Sequence, residues 1–426
     1  MGCCKHGWTI LACLILAACG GGNDTPRGSL LETPAVIGST LTAAQLDAWT
    51  AGAGLQILTG NARCDVTVVQ INYQTLGARP SEMTNASAAV LVPSGAGCPG
   101  PFPLVACARA TNSGKAYTMA DPANTETILL MAFLAAQGYA VVATDFLGYA
   151  LSDYPYHPYA HADSEVSVIV DSIRAARRAA PLLGLTLNGK VMVTGYSQGG
   201  HASMATQRAI ERESSGEFNL VAAAHLAGPY CISAALIDGV TNPINGVQAI
   251  VPFEITSWQK VYGNVYDSVS DVFNPPYDRY IETLFPTLLS STALANLLPG
   301  GTPAQARDAM FVSSYLSDLA NNPNNGTIIA GKKQDLLGWN PRAPTTLCGG
   351  LNDPTVKFSI NAQAAYDDFR SRGGANVALV DVDPGIQAKY GSVLASDPAT
   401  YWNSYHGRYE SPFCLHVAKG LFDLNR

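Results

Sequence analysis

The sequence predicts an α/β fold, a mostly parallel central sheet flanked by helices on both faces and interrupted by a mainly helical insertion. Three observations carry that prediction. Strand-like and helix-like segments alternate from Ser87 to Gly228. The stretch "VMVTGYSQGGHAS" (191–203) passes from a β-branched run through small residues into a helical pattern. The alternation lapses from Pro229 to about Trp339 and resumes at Thr345. With 426 residues, 47% hydrophobic and 13% charged, the chain buries a sizeable core in one elaborated domain or two modest ones. A net charge of −7 without a basic run gives no electrostatic footprint for nucleic acid.

At the N-terminus, Lys5 precedes an apolar stretch, Trp8 to Ala18, that is too short to span a bilayer and closes on small residues, the pattern of an export signal. Its end, "LAACGGG" (16–22), resembles the bacterial lipobox, which implies a lipid on Cys19; ordinary cleavage and release is the competing reading. "MGCCKH" fails as a myristoylation signal because His6 stands where Ser or Thr is required. Gly20–Gly22 and the following "NDTPRG" read as a flexible tether. The expected division is a lipoprotein signal peptide (1–18), a tether and N-terminal region (19–60), a first core segment (61–228), a cap (229–340) and a second core segment (341–426). The expected location is the bacterial cell envelope or the exterior, with the lipid as the only membrane contact.

Six cysteines remain in the mature body, Cys64, Cys98, Cys107, Cys231, Cys348 and Cys414, an even number that suits disulfide pairing after export. Cys64 with Cys98 is favoured, because the two bracket neighbouring strands. Cys-x-x-Cys and His-Glu-x-x-His are both missing from the sequence, so neither a metal site nor a cofactor is expected.

The elements follow in order. Val69, Ile71 and Tyr73 alternate with Gln70 and Asn72 as in an edge hairpin strand, and "SAAVLVP" continues it. "FPLVACA" is a buried strand, "TETILLMAFLAAQG" a helix stopped by Gly138, "YAVVATD" a strand, "DSEVSVIVDSIRAARRAAPLLG" a long helix and "KVMVTG" a strand. A helix from Gln198 to Arg212 and the strand "FNLVAAAHLAG" come next. The cap then supplies helices and aromatics, from Trp258 to Tyr315, that either line a cleft or form the cap's own core. "TTLCGG", a helix near Ala362–Arg372, the strand "NVALVDV" and a last helix with Ser411 as N-cap and Pro412 at its first position complete the chain.

In a chain with 40 glycines a Gly-x-Ser-x-Gly pattern alone is weak. Ser197, however, sits where a strand meets a helix. A tight turn there presents Oγ above the sheet, small neighbours permit close approach, and the helix N-terminus favours developing negative charge. Ser197 is therefore the candidate nucleophile.

On "GYSQGGHA", on "DFLGYALSDYPYHPYAHADSEVSVIVDSIRAAR" before it and on "HLAGPY" after it, the chain resembles the α/β-hydrolases, and within them the secretory lipase and esterase family. The resemblance implies a serine esterase working through an acyl-enzyme, with chain order serine, acid, histidine. The family places its base in the loop before the last helix, which implies His406, with His416 as runner-up. His201 precedes any acid, and His157, His161 and His225 belong to earlier segments. Asp353, just beyond the strand "TTLCGG", suits the order as the acid; Asp335 comes too early, and Asp381 and Asp383 are the fallback. Gln198, following the nucleophile, supplies one oxyanion donor. The second is expected from the loop after "PLVACA", where relatives carry His-Gly-Thr or similar. This chain has "ARATN", which points to Thr111 with Ala110 beside it, and Arg109 stands as a bulky cation next to the hole.

Three functions remain in view. The leading one is a carboxylic-ester hydrolase acting on apolar acyl or aryl esters, whether small molecules or lipids. The second keeps the triad but cleaves amides, with Glu254 or Glu282 anchoring a substrate amine. The third is a catalytically inactive surface-binding lipoprotein.

Overall fold

The computed structural model describes residues 25–426; the expected export signal and the expected lipid site at Cys19 lie outside the described residues. Its nine strands form one sheet: β1 (Ala35–Leu41), β2 (Asp65–Leu76), β3 (Met83–Ser94), β4 (Phe102–Ala108), β5 (Ala140–Thr144), β6 (Leu187–Tyr196), β7 (Asn219–Leu226), β8 (Thr345–Gly349) and β9 (Val377–Asp381), in the order β1-β2-β3-β5-β4-β6-β7-β8-β9. From β5 to β9 all neighbours are parallel, and β1, β2 and β3 add an antiparallel corner. β4, β5 and β8 are buried along their whole length, which is why they read as unbroken apolar runs rather than alternating ones.

One strand escapes the sequence reading. β1 lies within the segment assigned to the N-terminal region and displaces β2 from the sheet edge. Most of its residues are exposed, so it carries no alternation of apolar and polar positions to detect.

Four helices cover the two faces of the sheet. α1 (Thr125–Phe133), which leads to the left-handed Gly138, packs on one face together with the C-terminal helix. α2 (Ala162–Ala179) and α3 (Gln198–Glu213) pack on the other through Val168, Ile169, Ile173, Ala202 and Ile210. Between β7 and β8 the described residues form helices and no strand, beginning with α4 (Ile232–Thr241) and α5 (Val247–Tyr262). Trp258, Phe273 and Phe285 centre a separate core there, so most of the aromatics in this stretch hold the insertion together rather than face a substrate.

Cys64 is paired with Cys98, and Cys348 with Cys414. Full pairing of the six is corrected, since Cys107 and Cys231 are free thiols. Each is enclosed by packed neighbours, where a thiol behaves as a small apolar group. The Cys348–Cys414 link closes a 66-residue separation and ties the strand before Asp353 to the helix after His406.

Candidate active site

Ser197 occupies the turn between β6 and α3 with φ 58°, ψ −119°, a conformation that few side-chain-bearing residues adopt. The surrounding glycines make this possible. A Cβ on Gly199 would lie 1.9 Å from the Ala108 carbonyl oxygen, and one on Gly195 would lie 2.1 Å from the Gly199 oxygen. Strand, turn and helix therefore approach to backbone contact, and the Ser197 amide donates to Leu226 O at 2.9 Å.

His406 Nε2 is 2.7 Å from Ser197 Oγ, and His406 Nδ1 is 2.7 Å from Asp353 Oδ2. The other carboxylate oxygen of Asp353 accepts the Thr355 amide at 2.8 Å, which fixes the carboxylate plane. Tyr196, the residue before the serine, lays its ring beside His406 (centroids 5.1 Å apart) and donates its hydroxyl to the His406 carbonyl at 2.5 Å. Burial alone lowers the basicity of His406, but the charge and hydrogen bond of Asp353, with Glu410 behind it, outweigh that and push the imidazole up to about 10.

The setting of His406 departs from the expected loop. A helix at Pro398–Ser404 runs through a π-helical turn, Tyr405–Glu410, directly into α6 (Ser411–Asn425). Ser411 is thus the first residue of α6 within continuous helical backbone and not a cap. Pro412 is tolerated near the junction because the register changes there.

The amide of Gln198 donates to no acceptor among the described residues, as befits the first residue of a helix. The Ala110 amide is engaged, donating to Glu126 Oε1 at 2.8 Å, whereas the Thr111 amide has no acceptor among the described residues; the Thr111 hydroxyl meets the Tyr159 hydroxyl at 2.6 Å. Arg109 does not line the cavity. It is fully buried, with its guanidinium 3.9 Å from the Tyr149 ring centroid and bonded to the Asp145 and Ala110 carbonyls, so its charge braces the loop instead of meeting substrate.

The remaining candidates are engaged elsewhere. His157 donates from Nδ1 to Leu147 O and accepts the Gln198 side-chain amide at Nε2, and burial, then the Arg109 charge, lowers it to about 3. His161 caps α2, and His201 pairs with Glu165 at 2.7 Å. His225, lowered by burial to about 3, lies between Ser203 and Gln207. His416 faces Leu58 O. Asp335 accepts from Ser233; Asp381 and Asp383 brace the loop before Asp353 through Leu351 and Asn352.

The secretory lipase family model matches residues 115–248, the span that contains the Ser197 turn. Across 94% of this chain and 100% of the other, the structure aligns with the rice cell wall degrading esterase LipA of Xanthomonas oryzae at 35% identity and TM-score 0.84. The chain belongs to the secretory lipase family. It is a lipase/esterase-type hydrolase with the α/β-hydrolase fold. A Legionella pneumophila structure provisionally assigned as a hydrolase (20% identity, 93% and 98% coverage, TM-score 0.78) and Candida antarctica lipase A in its closed state (15%, 83% and 76%, 0.56) share the fold. No curated protein matches the chain significantly.

Two features of the site went unread in the sequence. Glu410 is buried against His406 and Tyr196: it accepts the Gly350 amide, and one of its oxygens is 3.5 Å from His406 Nδ1 and 3.1 Å from the Tyr196 hydroxyl. Burial first, then the Asp353 charge, holds its carboxyl well above the usual carboxylate range. His406 and Glu410 stand four apart on helical backbone, a spacing that becomes visible only once Pro412 is no longer taken as a helix start. Asp353, His406 and Glu410 present ligand atoms within 4.8 Å of one another, but these atoms already bond to each other and to the protein.

The second feature is a cavity of about 940 Å³, counting the part open to solvent, that leads from Ser197, Gln198 and Tyr159 beneath α4 and α5. Its walls are chiefly apolar, with Leu236, Val247, Ile250, Phe311 and Tyr315 among them. Of the two acids considered as amine anchors, Glu282 lies apart from it, accepting the Tyr266 hydroxyl at 2.6 Å, whereas Glu254 lines it.

Proposed function

We propose that the protein is a serine carboxylic-ester hydrolase acting through an acyl-enzyme on apolar acyl or aryl esters. The observation that carries this is the unbroken chain Ser197 Oγ–His406–Asp353 at 2.7 Å and 2.7 Å, mounted on a strained strand-to-helix turn. His406 Nε2 takes the serine proton as Oγ attacks the ester carbonyl, while Asp353 holds Nδ1–H and stabilises the imidazolium. The amides of Gln198 and Thr111 receive the oxyanion; one preset donor of this kind is typically worth about 3 kcal/mol of barrier. Collapse of the tetrahedral intermediate transfers the proton from His406 to the departing alkoxide. Water, deprotonated by the same imidazole, then releases the acid.

The cavity under residues 229–340 supports their reading as a cap and favours apolar substrates, because its walls offer little to an ionic one. LipA is described as degrading the rice cell wall; an ester at an envelope or extracellular surface is the corresponding class for this chain. Two disulfides and membership of a secretory family support export, and a lipid on Cys19 with the following tether is the proposed means of retention. Labelling by a fluorophosphonate probe tests the reading: Ser197→Ala abolishes it and His406→Ala slows it severely, whereas equal labelling of Ser197→Ala would refute it.

A further inference from the structure

α5 faces the cavity with Val247, Ile250, Val251 and Glu254, residues spaced three, four and seven apart and therefore on one stripe of the helix. Three of the four are aliphatic and one carries a carboxyl group. Glu254 is only 6% exposed, and its carboxyl has no hydrogen-bond partner among the described residues. The other charged groups along the cavity are engaged: Lys357 pairs with Asp238, and Arg307 donates to the Val240 carbonyl. Glu254 lies toward the reacting end: Phe253 before it stacks on the Tyr159 ring with centroids 4.5 Å apart, Ser257 and Trp258 after it donate to the Tyr159 carbonyl, and the Tyr159 hydroxyl meets that of Thr111.

The carboxyl opens on the cavity, so a chain that fills the cavity displaces its water; a polar group then left without a partner is costly, and a ligand that supplies the partner avoids that cost. We propose that Glu254 is a specificity-determining residue whose carboxyl group hydrogen-bonds a hydroxyl on the substrate, so that the cavity selects esters bearing a hydroxyl on the chain that fills it over plain alkyl esters. Burial pushes the carboxyl up to about 8, so at neutral pH it is chiefly a neutral acid, with one O–H to give and a carbonyl oxygen to accept. An alcohol matches both roles. A substrate ammonium would shed its hydration in an apolar passage to meet a group that carries little charge at that pH. This selection rests on the ester-hydrolase reading above.

The test uses matched pairs at pH 7: nitrophenyl 3-hydroxybutyrate against nitrophenyl butyrate, and 2-hydroxyethyl butyrate against propyl butyrate. The wild type prefers the hydroxylated member of at least one pair by about tenfold or more in kcat/KM, the size expected when a buried partner is matched rather than left unpaired. Glu254→Leu, which continues the aliphatic stripe, removes that preference and raises turnover of the plain ester, while Glu254→Gln keeps most of it. Equal preference in wild type and Glu254→Leu for both pairs would overturn the proposal, as would a stronger preference for nitrophenyl 3-aminobutyrate. Failure of the wild type on every ester is a separate result, which overturns the hydrolase reading and with it this selection.

Discussion

The space around Ser197 is bounded by two regions built on opposite rules. Toward the sheet, polar groups are deeply buried and most are partnered: His406, Asp353, Glu410 and Tyr196 bond to one another, and the Gln198 side chain is tied by its amide nitrogen to His157 and Glu165, while its Oε1 has no partner among the described residues. Toward the insertion, an apolar passage contains one buried carboxyl without a partner. The first arrangement holds Ser197 Oγ, His406 and Asp353 at the hydrogen-bond distances that the proposed proton transfer requires. The second is chiefly apolar and leaves the Glu254 carboxyl to be met by whatever enters. Changes on the sheet side should therefore alter whether the reaction runs, and changes on the cap side should alter on what it runs.

The largest break is at the serine. Ser197→Ala is expected to lower kcat/KM on a nitrophenyl ester by about 10⁴-fold or more, with thermal unfolding little changed, since the hydroxyl's chief partner is His406. Next is the Cys348–Cys414 link. Replacing both residues by Ala is expected to cost about 4 kcal/mol by loop-closure entropy, read from urea unfolding, and to reduce kcat through looser placement of Asp353 and His406. On the cap side, Ile250→Trp narrows the passage, so turnover of a long-chain nitrophenyl ester falls roughly tenfold relative to acetate, while acetate itself changes little.

The smallest effect sharpens the comparison within the sheet side. The imidazole accepts a proton only when neutral, so kcat/KM rises with pH as His406 loses its proton. Asp353 and Glu410 both favour the charged form, which places that limb above the range of a free imidazole. Glu410→Gln removes one of the two influences and is expected to shift the limb down by roughly half to one pH unit. A limb that stays in place would make Glu410 a packing group only.

The residues that backbone geometry constrains were the legible ones. Ser197 sits at a strand-to-helix seam where Gly195 and Gly199 are sterically required, so the turn left a spelling. Asp353 follows a fully buried strand, which made its loop recognisable, and His406 followed from chain order and the family resemblance. What escaped had no local signature. β1 is an exposed edge strand without alternation, and the π-helical turn at Tyr405–Glu410 was hidden because Ser411 and Pro412 imitate a helix start. Arg109 read as a bulky cation beside the oxyanion hole, since a sequence does not show that Tyr149 and two carbonyls will enclose it. Glu254 was noticed, but as a charged anchor for an amine; its burial in an aliphatic stripe pushes its carboxyl up to about 8.

The most direct measurement is mass spectrometry of the protein quenched in acid during turnover of a nitrophenyl ester, followed by peptide mapping. The account predicts the acyl mass on the peptide containing Ser197, lost on incubation at neutral pH and never formed in Ser197→Ala. Sustained turnover with no adduct at Ser197, or with the acyl group on another residue, would contradict it.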